Sequence, residues 1–187
     1  MSMTIQTASE FRASSRMIVT IALMIHLSVQ SPDLAAAIIR VPGDQGSIQS
    51  GIDMAAAGDV VLVSAGTYKE RIRLKPGVTV KSAGDDSKGK VGLKRAEQTI
   101  IDGNVKGTTA PGVTMAEDST LDGFSVTGIG TYDEARWKKH HATQGEEQAK
   151  EPIGAPGTPG IAAGRVARCT VTNNIVHHIG YTGIGIE

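Results

Sequence analysis

Aromatic side chains are scarce: one Trp, three Tyr and two Phe make up 3% of 187 residues. A core built on large rings is excluded, and small branched side chains must do the packing. A single cysteine, Cys169, excludes a disulfide-stapled scaffold. Neither sign of charge dominates, with 19 Lys and Arg against 19 Asp and Glu. The broad positive field on which nucleic-acid binding depends is therefore missing, and no nucleic-acid partner is expected. Long hydrophobic runs are missing too. The apolar stretch Met17–Val29 is too short to span a bilayer comfortably. What the chain has in quantity is glycine, 23 residues or about 12%, against a usual figure of about 7%. Many tight turns between short segments follow from that.

Residues 1–37 read as a secretory signal. Arg12 and Arg16 supply the basic start, Met17–Val29 the apolar region and Ala35-Ala36-Ala37 the small-residue exit, with cleavage expected after Ala37. The expected location is secreted, periplasmic or at the cell surface, with no stable membrane span once the signal is removed. In that oxidising setting the lone thiol of Cys169 is expected to pack in the core.

Residues 38–187 then form one domain. From Ser47 to Ala57, Ile48, Ile52 and Ala55 or Ala56 fall on one helical face, and Gly58 supplies the stop, so a short helix is predicted as a lid. Val60–Val63 reads as a continuous apolar strand, followed by a turn at Ala65-Gly66-Thr67. Tyr68–Leu74 reads as a half-buried strand with Tyr68, Ile72 and Leu74 on one face. The charged run Asp85–Glu97 reads as a solvated loop. Further strands are predicted around Thr99–Asp102 and Leu121–Thr127.

Self-similarity sets the architecture. Ile101-Asp102-Gly103 returns as Leu121-Asp122-Gly123, Phe124–Thr127 as Cys169–Thr172, and Gly160-Ile161 as Gly183-Ile184. Spacings near twenty mark the coils of a solenoid, in which β-branched strands bury their apolar faces only by stacking. The leucine-rich-repeat pattern is absent, and Val, Ile and Thr dominate. The predicted fold is therefore an all-β solenoid, a right-handed single-stranded parallel β-helix with a short N-terminal capping helix. Asn173-Asn174 is expected at a sharp bend, where Asn tolerates left-handed angles and bonds along the coil axis.

The stretch Ser47–Glu70 (SIQSGIDMAAAGDVVLVSAGTYKE) resembles the entry segment of secreted right-handed parallel β-helix proteins of the pectin-lyase-like superfamily. Ile100–Gly103 and Val171–Val176 resemble that superfamily's coils. The resemblance covers about residues 40–128 and 160–187. It implies the fold and an association with extracellular polysaccharide as partner. It does not fix a reaction, because the superfamily includes lyases, glycoside hydrolases, methylesterases and carbohydrate-binding proteins. Gly66–Glu70 matches the entry motif of pectin methylesterases, but the later Asp, Gln and Arg blocks of that family do not occur. Tyr68 and Glu70 therefore read as a packed ring and a satisfied carboxylate.

Candidate chemistry narrows to a few residues. A hydrolase of this fold needs Asp residues facing one cleft on adjacent coils, and Asp102 and Asp122 recur at coil spacing; each also precedes Gly, as in a turn. A lyase needs a basic residue with Ca²⁺ or another cation. Asp85-Asp86 and Glu146-Glu147 are the acidic pairs present, and both read as solvated, so no cofactor is predicted and Ca²⁺ is the sole cation entertained. Residues 129–159 form a long loop insertion carrying Arg136, Trp137, Lys138, His140 and His141, which reads either as a flexible, solvated loop or as a sugar site in which Trp137 stacks on a ring and the basic residues hold an acidic sugar's carboxylate. His140-His141 and His177-His178 are not expected to bind metal, because neighbours in an extended segment point opposite ways. The chain ends within a new coil at Gly183–Glu187, which reads as an unfinished stack. Two function classes fit: a carbohydrate-binding or adhesion module without turnover, and a lyase, hydrolase or esterase, whole or truncated.

Overall fold

Strands of two to four residues bury almost nothing alone, and in this chain each lies against its counterpart from the next turn of the backbone. A computed structural model describes residues 35–131, 133–143 and 158–186. The elements in chain order are β1 (Ile38–Val41), α1 (Ile48–Met54), β2 (Val60–Val63), β3 (Gly66–Tyr68), β4 (Ile72–Arg73), β5 (Thr79–Ser82), α2 (Lys94–Gln98), β6 (Thr99–Asp102), β7 (Val113–Thr114), β8 (Thr120–Asp122), β9 (Ser125–Thr127), α3 (Glu134–Ala142), β10 (Ile161–Ala162), β11 (Thr170–Thr172), β12 (Ile175–Val176) and β13 (Ile184–Gly185). They form three sheets, ordered β1-β2-β5-β8-β11, β3-β6-β9-β12 and β4-β7-β10-β13. All pairings between these strands are parallel. From β2 onward the chain visits the three sheets in rotation, an order compatible with a parallel β solenoid.

Register explains the near-twenty period and its exceptions. Val60 pairs with Thr79, nineteen positions on, and Ile161 with Ile184, twenty-three on. Thr79 pairs with Thr120 and Thr120 with Thr170, because longer segments leave the stack between these rungs. Of the three sequence repeats, Gly160-Ile161 and Gly183-Ile184 do fall on paired strands. The other two do not. Asp102 ends β6 and Asp122 ends β8, in different sheets, so of the two readings of these Asp-Gly pairs the stacked one does not hold. Likewise β9 and β11 belong to different sheets. All three sheets ask for the same β-branched strand closed by a polar or Gly corner, so similarity marks strand-and-corner units rather than equivalent rungs.

The narrow interior holds Val61, Val63, Ile72, Val80, Ile101, Val113, Leu121, Val126 and Ile161, all at or near zero exposure, with Phe124 the largest buried side chain. Each such residue contributes roughly 1.5–3 kcal/mol by burial. Cys169 is half-buried against this core. Helix α1 covers one part with Ile48 and Ile52 and is shorter than the expected Ser47–Ala57, because Ala55 already turns to extended angles. Its first turn is capped twice. Ser47 and Ser50 bond reciprocally, and both carboxylate oxygens of Glu70 accept from the amides of Ile48 and Gln49 at 2.9 Å. The Tyr68 hydroxyl donates to Ser64 O at 2.9 Å.

Three expectations need correction. Tyr68–Leu74 is not one strand: β3 ends at Tyr68 and β4 starts at Ile72 in another sheet, with Lys69-Glu70-Arg71 as the corner, while Gly66 and Thr67 belong to β3 rather than to a turn. Leu121–Thr127 is broken at Gly123-Phe124 in the same way. The run Asp85–Glu97 contains the start of α2 and buries Arg95 to 2% exposure, so it is not a solvated loop. The 129–159 insertion contains α3; its residues 144–157 lie outside the described set, as do 1–34 of the proposed signal. No helix among the described residues is long and apolar enough to cross a membrane.

Candidate functional site

Alternation along β6, β9 and β12 sorts their side chains. Ile101 and Val126 are fully buried and pair in register, and Val126 pairs with Val176, so these three face the core. By the twofold pleat, Ile100, Ser125 and Ile175 and then Asp102, Thr127 and His177 line the opposite face. Helix α2 lies against β6 and β9, and a Cβ at Gly92 would come within 3.0 Å of Ile175 Cδ1. The segment around α2 thus covers the first of these two columns. Asp102 and Thr127 remain half-buried and His177 exposed beside it.

This uncovered column is built by its corners. Asp102 pairs in register with Thr127, and His177, whose amide donates to Val126 O at 3.1 Å, follows on the next coil. Asp102 Oδ1 accepts from Asn104 N at 3.0 Å. Arg71 Nε donates to Gly103 O at 2.8 Å, and its guanidinium also bonds Ala110 O, so the backbone after Asp102 is pinned from the preceding corner. Gly128 has φ +74, and a Cβ there would lie 2.3 Å from Asp102 Oδ1. A side chain is therefore excluded at this corner.

The histidines behave differently from expectation. His178 has φ +52, in the left-handed region, so the pair is not extended, and its ring turns back onto its neighbour. His177 Nδ1 and His178 Nδ1 face each other at 2.5 Å, with ring centroids 4.8 Å apart, and Thr127 Oγ1 lies 3.5 Å from His177 Nδ1. Desolvation first, and the neighbouring His178 charge second, hold His177 below the usual imidazole range.

Asp122 sits in a different environment. Arg95 Nη2 bonds its Oδ1 at 2.8 Å, Asn173 Nδ2 donates to the same oxygen at 2.8 Å, and Lys81 Nζ lies 3.4 Å from Oδ2. Arg95 also donates to Ser82 Oγ, Asp122 O and Asp86 Oδ1, at 2.9, 3.1 and 2.7 Å. Burial pushes the Asp122 carboxyl up, but the Arg95 and Asn173 hydrogen bonds and the Arg95 and Lys81 charges hold it below its ordinary value. An ionised carboxylate with its lone pairs occupied is an anchor, not a proton shuttle. Gly123, at φ +83, leaves the room that the guanidinium fills. Asn173 itself adopts φ +56, and Asn174 bonds Phe124 N and Leu121 O of the previous coil at 2.8 and 3.0 Å, as the bend reading expects.

The insertion residues divide around α3. Asp133 caps the helix through Ala135 N and Arg136 N. Arg136, Lys138 and His141 are exposed, Trp137 is half-buried and His140 is 5% exposed. Trp137 and His140, three apart, share the less exposed side, and Lys138 lies 3.4 Å from Glu134. The arrangement does not gather the five residues on one open surface. Asp85 and Asp86 also diverge, one accepting from Ser87 N and the other from Arg95. Glu146-Glu147 lies outside the described residues. Among the described residues, no group of three or more His, Cys, Asp or Glu is placed to hold a metal ion.

The convergence of Thr127, His177 and His178 was missed in the sequence. The available signal was the fifty-residue offset that aligns Val126 with Val176 and hence Gly128 with His178. Compared with family models, curated proteins and solved structures, the chain matches none.

Proposed function

We propose that this chain is an exported right-handed parallel β-helix domain, of the pectin-lyase-like kind its entry segment resembles, that binds extracellular polysaccharide along the flank carrying Asp102, Thr127 and His177. The observation that carries this reading is the in-register column itself. Rungs recur about every 4.8 Å, so a scaffold of repeated coils offers hydrogen-bonding groups at regular intervals to a ligand of repeated sugar units. Asp accepts from sugar hydroxyls, Thr donates and accepts, and a neutral imidazole does both. The exposed Arg136 and Lys138 of α3 would add carboxylate recognition for an acidic polymer.

Turnover is the second reading, and one observation favours it. Desolvation and the neighbouring His178 lower the His177 pKa, a direction that favours the form a general base requires. Asp102 remains the carboxylate candidate on this face, whereas Asp122 serves the Arg95 network.

Incubating the full chain with a panel of acidic and neutral polysaccharides, while following bound fraction, reducing ends and unsaturated product, tests both. Binding without product, weakened about tenfold or more by Asp102→Ala and Thr127→Ala, supports the module. Product formation abolished by His177→Ala supports the enzyme. No binding to any polymer, or binding indifferent to all column variants, overturns the reading.

A further inference from the structure

We propose that His177 and His178 form a binding site for a borderline divalent transition cation such as Zn²⁺, at the corner where β12 ends. The premise that adjacent histidines diverge fails at this corner. A left-handed residue rotates the second ring back, and both Nδ1 atoms meet 2.5 Å apart with Thr127 Oγ1 within 3.5 Å of one of them. In the neutral pair one Nδ1–H donates to the other Nδ1, and a metal cation taking the place of that proton, with the N–H moving to Nε2, would have both nitrogens as ligands. Neutral imidazole suits Zn²⁺, Cu²⁺ and Ni²⁺, whereas hard cations prefer oxygen.

The corner of the preceding coil sharpens the point. Its equivalent of His178 is Gly128, the residue that tolerates a positive φ at no steric cost. Here a histidine occupies the same turn, with φ +52, so its side chain is carried where the preceding corner has none. Both rings lie at the surface, so a hydrated cation reaches them. A tetrahedral cation with bonds of about 2.0–2.1 Å holds two ligand nitrogens roughly 3.3 Å apart, so the rings must separate by less than an ångström. Water fills the remaining positions, with the Thr127 hydroxyl adjacent.

His177 and Thr127 also belong to the column proposed for polysaccharide, so the test uses metal alone, with no glycan present. Calorimetric titration of the metal-stripped full chain with Zn²⁺ should give one equivalent bound. Either His177→Ala or His178→Gly should weaken it by at least about tenfold, since changes outside the ligand set already cost 10–100-fold. His178→Gly installs the glycine of the preceding corner and keeps the turn, so lost binding there reports a lost ligand and not a lost fold; circular dichroism of each variant checks this. A His140→Ala, His141→Ala double variant should bind as the parent does, and excess Ca²⁺ should not compete. Absence of uptake, uptake that survives both corner variants, or uptake lost in the α3 double variant would overturn the assignment.

Discussion

Two charged segments leave the stack, and their described parts are organised differently. The one between β5 and β6 is fastened down: Arg95, 2% exposed, reaches Ser82, Asp86 and Asp122, and α2 covers half the outer face of a sheet. The one between β9 and β10 carries α3, where Asp133 caps its own helix, Lys138 pairs with Glu134, and His140 is the buried side chain. Charge density does not separate them. The first segment has a receiving site: a carboxylate at a stack corner, with a glycine beside it leaving space for a planar guanidinium and an Asn from the next coil sharing the load.

Removing the receiver should break the contrast most strongly. Asp122→Ala leaves Arg95 buried with Asp86, at the solvent edge, as its remaining carboxylate partner, and a loss of about 3 kcal/mol in denaturant unfolding is expected, the lower end of the range for a broken buried pair. The same carboxyl has a folded pKa below its unfolded value of about 3.9. Its contribution is full above that value and disappears as pH falls through the lowered one, so acid unfolding of Asp122→Asn should show a flatter pH dependence below about pH 4.

A second long-range clasp gives an intermediate case. Glu70→Ala strips both acceptors from the first turn of α1, and about 1–2 kcal/mol of global stability should go with them in the same assay. Asp133→Ala should act locally. About 1 kcal/mol of α3 stability is lost, visible as faster amide exchange within Glu134–Ala142 while the global midpoint barely moves. A global shift as large as that of Asp122→Ala would erase the distinction between the two insertions.

The smallest effect belongs to His177, whose lowered pKa contributes stability above the unfolded value of about 6.5 that fades as pH falls through the folded one. The melting temperature should therefore decline slightly between pH 7 and 5, with Thr127 and His178 facing the ring, and His177→Asn should flatten the decline.

What the sequence displays is local. Ile48 and Ile52 on one helical face, the run Val60–Val63 and the left-handed angle at Asn173 each depend on residues close in the chain, and each is found in the structure. Rung equivalence depends on how much chain leaves the stack between strands, which composition does not encode. For that reason Asp102 and Asp122 look like partners in sequence and sit on separate sheets. Arg95 was hidden for a related cause: its burial rests on Asp122, twenty-seven positions away, and nothing near Arg95 in the chain distinguishes it from Lys94. The histidine corner needed both the coil offset and the sign of one backbone angle.

The segments that leave the stack all do so at corners, and the pairings Thr79 with Thr120 and Thr120 with Thr170 keep their register across intervening stretches of unequal length. Doubling a flexible loop costs only about 0.6 kcal/mol in closure entropy. The corners are thus natural grafting ports: peptide inserted there changes what the surface presents without renumbering the rungs beneath it. Libraries randomised in length within the exposed stretch 105–109, beyond the pinned backbone of Gly103, should keep folding where insertions inside β8 or β9 would not.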